Sequence, residues 1–156
     1  RQTGLEIGIK WPNDLLIDGR KISGILLESS AEEERLRHVV AGIGISVNLE
    51  PEDYPPELRS KAVSLRMAAG RPLDRTETAA QFLESLEELY DIYRNDGFGP
   101  IRLLWEAWSV SLGKPAVLKT PQGTVEGVPL GLSDNGALRV RTADGLVREV
   151  FSAEFE

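Results

Sequence analysis

Three short stretches near the start of the chain carry the side chains best suited to chemistry. They are residues 10–14 (KWPND), residues 20–24 (RKISG) and residues 42–48 (GIGISVN). A lysine ammonium suits a phosphate or a carboxylate, and an Asp beside an Asn can supply oxygen ligands for a Mg²⁺ ion shared with a phosphate. Glycine lets a backbone N–H approach a ligand closely. The combination predicts a site for a nucleotide and a carboxylate substrate.

Taken one at a time, these residues also have purely structural explanations. Lys10 alternates with apolar neighbours and could be the solvent side of a strand, and Lys21 follows a turn, where a solvated lysine is ordinary. Gly42 and Gly44 make a weak phosphate loop because no helix start follows them. The chain has no Cys and one His, His38, which we interpret as structural, so it lacks the material for a catalytic triad or a His-based metal site.

The first half of the chain predicts strands that bring these stretches together. Leu5–Trp11 alternates apolar and polar residues, residues 12–14 form a turn, and Asp18-Gly19 is a strong hairpin signal. Four further segments complete this part: strands at Leu15–Ile17 and Ile22–Glu28, an acidic loop at Ser29–Arg37 and a buried strand at His38–Leu49.

The second half predicts helices and then a small all-β unit. We expect an extended segment and a short helix ending at Gly70, a long helix capped by Asp74 and ended by Gly97, and another starting at Pro100. Trp105 and Trp108 lie at helical spacing and are predicted core residues. From Lys114 onward, turn signals at Gln122-Gly123, Asn135-Gly136 and Asp144-Gly145 predict five short strands in a barrel or sandwich.

Composition limits the class of protein. The chain has 156 residues, 41% hydrophobic and 28% charged, which excludes long-range disorder, and without Cys it is not a disulfide scaffold. A net charge of -7 disfavours nucleic acid as a partner of this segment. No apolar run is long enough to span a membrane and the first residues do not resemble a signal peptide, so we expect a cytoplasmic protein. The absence of an initial Met predicts a fragment that lacks an upstream part.

Together the motifs resemble the biotin protein ligase family. The resemblance rests on KWPNDL at 10–15, GRKISGIL at 19–26 and GIGI at 42–45. It continues through GKPAV at 113–117, GAL at 136–138 and FSAE at 151–154, which resemble the small C-terminal domain of that family. It implies an α+β fold. Residues 1–112 would form part of a mixed sheet with helices, like that of class II aminoacyl-tRNA synthetases, and residues 113–156 an SH3-like β-barrel.

The resemblance also implies a reaction and roles for single residues. The family joins biotin to ATP to make biotinyl-5'-AMP, and then transfers biotin to a lysine of the biotin carboxyl carrier protein of acetyl-CoA carboxylase. By similarity, Lys21 would contact biotin and the acyl-phosphate, with the backbone at Gly24 holding the biotin ring. Lys10 would bind the phosphates, and both lysines would be catalytic. The remaining residues would bind ATP, with Mg²⁺ at Asp14: Asn13, Asp14, Ile45, Ser46 and Asn48.

Two departures from the family pattern keep alternatives open. The glycine- and arginine-rich biotin loop of the family and the Trp that stacks on adenine precede KWPND and are not in this sequence, so we expect activity to need an upstream half of the catalytic core. Ser46 stands where the family has an Asn that binds adenine, and Asn48 could partly substitute for it. The alternatives are a degenerate or regulatory biotin- or nucleotide-binding module, and lipoate-ligase-like acyl transfer. An exposed strand edge could also pair two copies in a homodimer.

Overall fold

The computed structural model describes residues 4–32 and 35–155, and in it the chain divides into two compact units. The first unit is formed by Arg1–Gly8 with Asn13–Thr78, and the second by Ile9–Pro12 with Ala79–Glu156. The short segment Ile9–Pro12 thus belongs with the C-terminal part of the chain. The boundary between residues 112 and 113 stays a prediction about sequence domains.

The first sheet is antiparallel where its strand pairs are described. It contains β1 (Gly8–Lys10), β2 (Asp14–Ile17), β3 (Arg20–Glu32) and β4 (Arg35–Ile45), in that order. Asp18 and Gly19 connect β2 to β3 with φ values of 48° and 73°. Both residues adopt the left-handed conformation that a two-residue hairpin turn requires, which confirms the predicted turn.

Three predictions for this sheet are wrong. Within the expected acidic loop at 29–37, the described residues 29–32 and 35–37 are instead strand, since Ser29 pairs with Val39 and Ser30 with His38. The antiparallel ladder satisfies the backbone there, while polar side chains can stay in water. The expected buried strand at 38–49 is neither buried nor that long: β4 ends at Ile45, and Val39 and Val40 are about half exposed.

The predicted strand at 5–11 is also shorter in the structure. β1 covers only Gly8–Lys10, and Trp11 already belongs to the turn that follows. Trp11 is buried, and its side chain packs in the core of the second unit. His38, interpreted as structural, lies exposed in the strand ladder opposite Ser30.

The core of the first unit joins the hairpin to a later loop. Ile17, Ile22, Val63 and Leu65 are buried together. Partly buried side chains pack around them: Leu5, Ile7, Leu15, Ile45, Val47, Met67, Ala68 and Leu73. Helix α1 (Leu65–Ala69) follows, with Ser64 as its N-cap, and it ends as predicted at Gly70, whose φ is 68°.

Two longer helices follow. Helix α2 (Arg75–Asp96) begins where Asp74 Oδ1 accepts hydrogen bonds from the backbone N–H groups of Thr76 and Glu77, which confirms the predicted cap. Helix α3 (Phe98–Trp108) begins two residues before the predicted Pro100. None of the helices in the described ranges is long and apolar enough to cross a bilayer.

The prediction that both helix tryptophans are core residues is half right. Trp105 packs against the core of the second unit, but the side chain of Trp108 is 55% exposed. Trp108 is the last residue of α3, where the helix ends and its apolar face is no longer continued.

The second unit closes with the five predicted strands. They are β5 (Ala116–Thr120), β6 (Gly123–Leu132), β7 (Leu138–Thr142), β8 (Val147–Val150) and β9 (Glu154–Phe155), in the sheet order β8-β7-β6-β5-β9. Leu118, Leu138 and Val140 are fully buried in its core, beside Trp11. The α+β class is therefore confirmed.

Helix α3 is tied to the second sheet by a carboxylate. Glu106 Oε1 accepts a hydrogen bond of 2.9 Å from the backbone N–H of Leu132. Gly131, at φ 148°, makes room for it, because a Cβ there would lie 2.4 Å from the same oxygen. The positive φ favours glycine at this position, and any larger residue would also displace the Glu106 carboxylate from its hydrogen bond.

The turn between β7 and β8 generates a pH prediction. Asp144 accepts hydrogen bonds from the hydroxyl of Thr142 and from the backbone N–H of Leu146, and these bonds, Thr142 first, hold the pKa of its carboxyl below the ordinary 3.8. Because the folded pKa is depressed, the stabilisation is present above the ordinary pKa and is lost as pH falls through the folded pKa.

A ¹³C NMR titration of Thr142→Val should show a higher Asp144 pKa. Thr120→Val, in another turn, should leave it unchanged; an unshifted Asp144 in Thr142→Val would contradict this assignment.

Candidate functional site

A bulge in the β2–β3 hairpin places Lys21. In the register of the two strands Leu15 pairs with Ser23 and Leu16 with Lys21, so Ile22 is the extra residue on β3. Ile22 is buried in the core of the first unit. Bulges of this kind commonly re-aim a side chain beside a functional site. Here the ammonium of Lys21 lies 2.5 Å from Asp14 Oδ1, in an ion pair that is partly open to solvent.

Gly24 leaves the space that this lysine occupies. Gly24 pairs with Asp14 across the ladder, and a Cβ on it would lie 3.0 Å from both Cε and Nζ of Lys21. A side chain at position 24 would require the end of the Lys21 side chain to move by a few tenths of an ångström. The glycine therefore favours the observed position of the ammonium.

Asn13 is fastened to the same strand. Its Nδ2 donates to the carbonyl of Ile25 at 2.6 Å, and the backbone N–H of Ile25 donates back to the carbonyl of Asn13 at 3.1 Å. The two bonds fix the residue directly before Asp14. The structure thus brings Asn13, Asp14, Lys21 and Gly24 into one group.

Ile45 and Ser46 lie at the end of β4, beside the same hairpin. Ile45 pairs with Ser23 and packs against the core of the first unit. The backbone N–H of Ser46 donates to the carbonyl of Ile22 at 2.9 Å, and its carbonyl accepts from the N–H of Leu65 at 2.8 Å. Both backbone groups of Ser46 are thus used by the fold, and its hydroxyl is left for other contacts.

The side chain of Asn48 has a structural partner. Its Nδ2 donates to the carbonyl of Leu73 at 2.7 Å, and its Oδ1 accepts from the N–H of Leu73 at 3.0 Å. This two-bond clamp joins the segment after β4 to the segment before α2. A nucleotide contact by Asn48 stays a prediction, and this arrangement does not favour it.

A cavity of about 600 Å³ in the first unit collects most of these residues. Lys21, Gly24, Ile45, Ser46 and Asn48 all line it. The other lining residues are Ile22, Ser23, Gly44, Val47, Leu49, Tyr54, Leu58, Ala62 and Arg75. Its size is that of an ordinary small-molecule site.

Arg75 is a cation at this cavity that the sequence reasoning did not identify. It is the first residue of α2, where a positive charge opposes the helix dipole. This unfavourable charge at the start of a helix is the feature from which the sequence could have identified Arg75, because residues that break a local structural rule often belong to a functional site. With Lys21 it gives the cavity two positive side chains.

Lys10 belongs to the second unit. Its ammonium lies over the ring of Phe155, 5.7 Å from the ring centre. No group of three or more potential metal-ligating side chains exists within residues 4–32 and 35–155. Asp14, the predicted Mg²⁺ ligand, has Lys21 as its observed partner.

Comparisons with known proteins agree along the chain. Residues 1–46 match the model of the biotin/lipoate A/B protein ligase family, and residues 111–156 match that of the biotin protein ligase C terminal domain. The bifunctional ligase/repressor BirA of Bacillus subtilis is 44% identical over 98% of this chain and 47% of its own length. The biotin--[acetyl-CoA-carboxylase] ligase of Paracoccus denitrificans is 34% identical over 94% of this chain and 61% of its own.

Solved structures of biotin protein ligases also resemble this chain. A crystal structure of biotin protein ligase from Aquifex aeolicus has a TM-score of 0.81 at 28% identity, over 99% of this chain and 65% of that one. The complex of that ligase with biotin and ATP also scores 0.81, over 99% of this chain and 62% of that one. The chain thus spans between about half and two thirds of the length of these proteins.

The side chain of Asn48 is hydrogen-bonded within the fold, whereas Ser46 is held through its backbone, so we predict different effects of their substitution on stability. Asn48→Ala removes two hydrogen bonds and leaves both backbone groups of Leu73 unpaired, so the free energy of unfolding should fall by about 1–3 kcal/mol. Ser46→Ala is the matched control, because the folded contacts of Ser46 run through its backbone, and it should stay within about 0.5 kcal/mol of the parent. Urea unfolding measures both. Equal losses in the two variants would show that the clamp carries no special stability.

Proposed function

The chain belongs to the biotin protein ligase family, and on that premise we propose that the protein containing it activates biotin with ATP and transfers it to a protein. The activated intermediate is biotinyl-5'-AMP, and the acceptor is a lysine of the biotin carboxyl carrier protein of acetyl-CoA carboxylase. The observation that carries the proposal is the Lys21–Asp14 pair above Gly24 at the edge of a cavity that Arg75 also lines.

The chemistry of adenylation explains why cations are needed there. The biotin carboxylate attacks the α-phosphorus of ATP, the bond to the pyrophosphate oxygen breaks, and a mixed anhydride forms. Both reactants are anions, so positive charge must offset their repulsion and the charge that develops in the transition state. Lys21 and Arg75 are two such charges at the cavity. The acceptor lysine then attacks the acyl carbon and AMP leaves.

The residues around Asp14 fit a magnesium ion only if substrate phosphates supply its other ligands. Mg²⁺ takes oxygen ligands and is usually held by one or two carboxylates together with substrate phosphates. Asp14 offers one carboxylate, fixed in place by the strand pairing and by Asn13 before it. Mg²⁺ would neutralise pyrophosphate charge, and the described residues would hold it through Asp14.

Exposed apolar faces support a need for a further polypeptide segment. In the first unit Leu26, Leu27, Val39 and Val40 are about half exposed or more along β3 and β4. In the second, five side chains of α2 are exposed: Leu83, Leu86, Leu89, Tyr90 and Tyr93. The α2 side chains recur at helical spacing and so form one apolar face, and soluble proteins rarely leave a large face of that kind in water. The relatives carry sequence beyond the matched part, and a segment of that kind would cover these faces and complete the active site.

Biotin is favoured over lipoate as the acyl substrate. The model matched by residues 1–46 covers both kinds of ligase, but residues 111–156 match a domain described for biotin protein ligases. A catalytically inactive binding module is the second candidate, because Ser46 replaces the family Asn at the adenine. The retained Lys21–Asp14 pair supports the active enzyme.

Biotin-dependent ATP–pyrophosphate exchange tests the proposal. We expect exchange in the intact protein that contains this sequence, and a loss of about 10²–10³-fold in Lys21→Ala, since the ammonium stabilises charge in the transition state. Lys61→Ala is the matched control, an exposed lysine whose part in the fold is through its backbone, and it should keep full exchange. Exchange with lipoate in place of biotin would establish the alternative substrate, and full exchange in Lys21→Ala would remove that residue from catalysis.

The Ser46 departure predicts a gain of function. Ser46→Asn restores an amide that can donate and accept at the base edge, so the Kd for ATP should fall about five- to thirty-fold, the equivalent of one good hydrogen bond. Calorimetric titration of ATP measures the change, with Ser46→Ala as the control that adds no hydrogen-bonding group. An unchanged Kd in Ser46→Asn would place the adenine elsewhere.

A further inference from the structure

The backbone around Lys10 is held firmly in the second unit. Trp11, the next residue, is 5% exposed in the core with Leu118 and Leu138. On the other side, the carbonyl of Ile9 accepts a hydrogen bond of 3.0 Å from the N–H of Val110. The backbone of Lys10 is therefore fixed, and its remaining freedom is in the rotamers of the side chain. A further contact must restrict these rotamers if the ammonium is to act at one place.

Phe155 provides a fixed surface for that ammonium. It lies in β9, where it pairs with the fully buried Leu118 of β5, and its ring packs against the same core that holds Trp11. Lys10 Nζ lies over the face of the ring, 5.7 Å from the ring centre. This is within the distance at which an ammonium is attracted to the negative face of an aromatic ring.

We propose that Phe155 is a positioning residue for Lys10, through which the last strand of the chain orients the ammonium that binds the ATP phosphates. The inference rests on the proposed function together with the phosphate role that the family resemblance implies for Lys10. It gives the C-terminal strand a defined part in nucleotide binding. Both the backbone of Lys10 and the ring are anchored in one core, so the ammonium is arranged before ATP arrives and less freedom is lost on binding.

The first test observes the contact itself and needs no activity. Reductive ¹³C-methylation keeps the lysine charge, and the resonance of each dimethyl-lysine reports nearby ring currents. The Lys10 signal, identified by its loss in Lys10→Arg, should be displaced from the signals of exposed lysines. Phe155→Leu should return it to their position, and Phe155→Tyr, which keeps the ring, should not. A Lys10 signal already at the exposed position in the parent would overturn the proposal.

The second test asks whether the contact matters for nucleotide binding. In the intact protein, Phe155→Leu should raise the KM for ATP in pyrophosphate exchange about two- to five-fold, the size of an exposed cation–π interaction, with kcat little changed. Phe155→Tyr should keep the parent KM. Equal KM values in the parent and Phe155→Leu, or a lower one in the variant, would overturn the proposal. If Phe155→Leu does not fold, Phe155→Met supplies the same comparison.

Lys10→Ala separates this inference from the function on which it rests. A raised KM for ATP in Lys10→Ala with no change in Phe155→Leu would leave the ligase assignment intact and reject Phe155 as a positioning residue. An unchanged KM in Lys10→Ala would instead reject the phosphate role of Lys10, whatever Phe155 does. A raised KM in both, with the ring-current shift present, is the expected result.

Discussion

Hydrogen bonding by the backbone of residues 21–25 is the constraint on which the first unit depends. The N–H and carbonyl of Lys21 bond to Lys61 and Val63, the carbonyl of Ile22 accepts from Ser46, and Ile25 exchanges bonds with Asn13. Buried backbone groups must be paired, so this strand cannot shift without breaking contacts to three other segments. The same contacts place the ends of β2 and β4 beside Lys21, and the cavity forms where these ends meet.

The bulge at Ile22 lets one strand serve both the core and the site. In a regular strand successive side chains alternate between faces, and a slip of one residue would move every side chain to the wrong face. The extra residue changes the register only at this point. As a result Ile22 enters the core, while Lys21 can meet Asp14 over Gly24. A substitution that removed the bulge would change the packing and the ion pair together.

Local chemistry made part of this fold predictable from sequence. The Asp18-Gly19 turn, the Asp74 cap, the Gly70 helix end and the five C-terminal strands each follow from the dihedral or hydrogen-bonding preferences of a few adjacent residues. The candidate group from Asn13 to Gly24 was predictable because its residues lie on one hairpin.

The remaining features depend on contacts between distant parts of the chain. Residues 29–32 continue as strand because β4 pairs with them, and the clamp between Asn48 and Leu73 has no signature in either segment. Arg75 reaches the cavity only once α2 is in place. Phe155 meets Lys10 only because Trp11 is buried in the core of the C-terminal strands. Composition and periodicity carry no record of such pairings.

The exposure of the Lys21–Asp14 pair suits a site that must change partners. The two side chains are 48% and 24% exposed, and an ion pair so open to water is worth about 0–1 kcal/mol. A fully buried pair would cost several kcal/mol to separate, and an anionic substrate would have to overcome that cost. In the reaction that we propose, an incoming carboxylate would take the ammonium from Asp14 at little cost in free energy, and Asp14 would then be available to a cation. The net charge of -7 has little effect on the binding of an anion here. Solvent screens charges that lie beyond about 8 Å, while the nearby cations act directly.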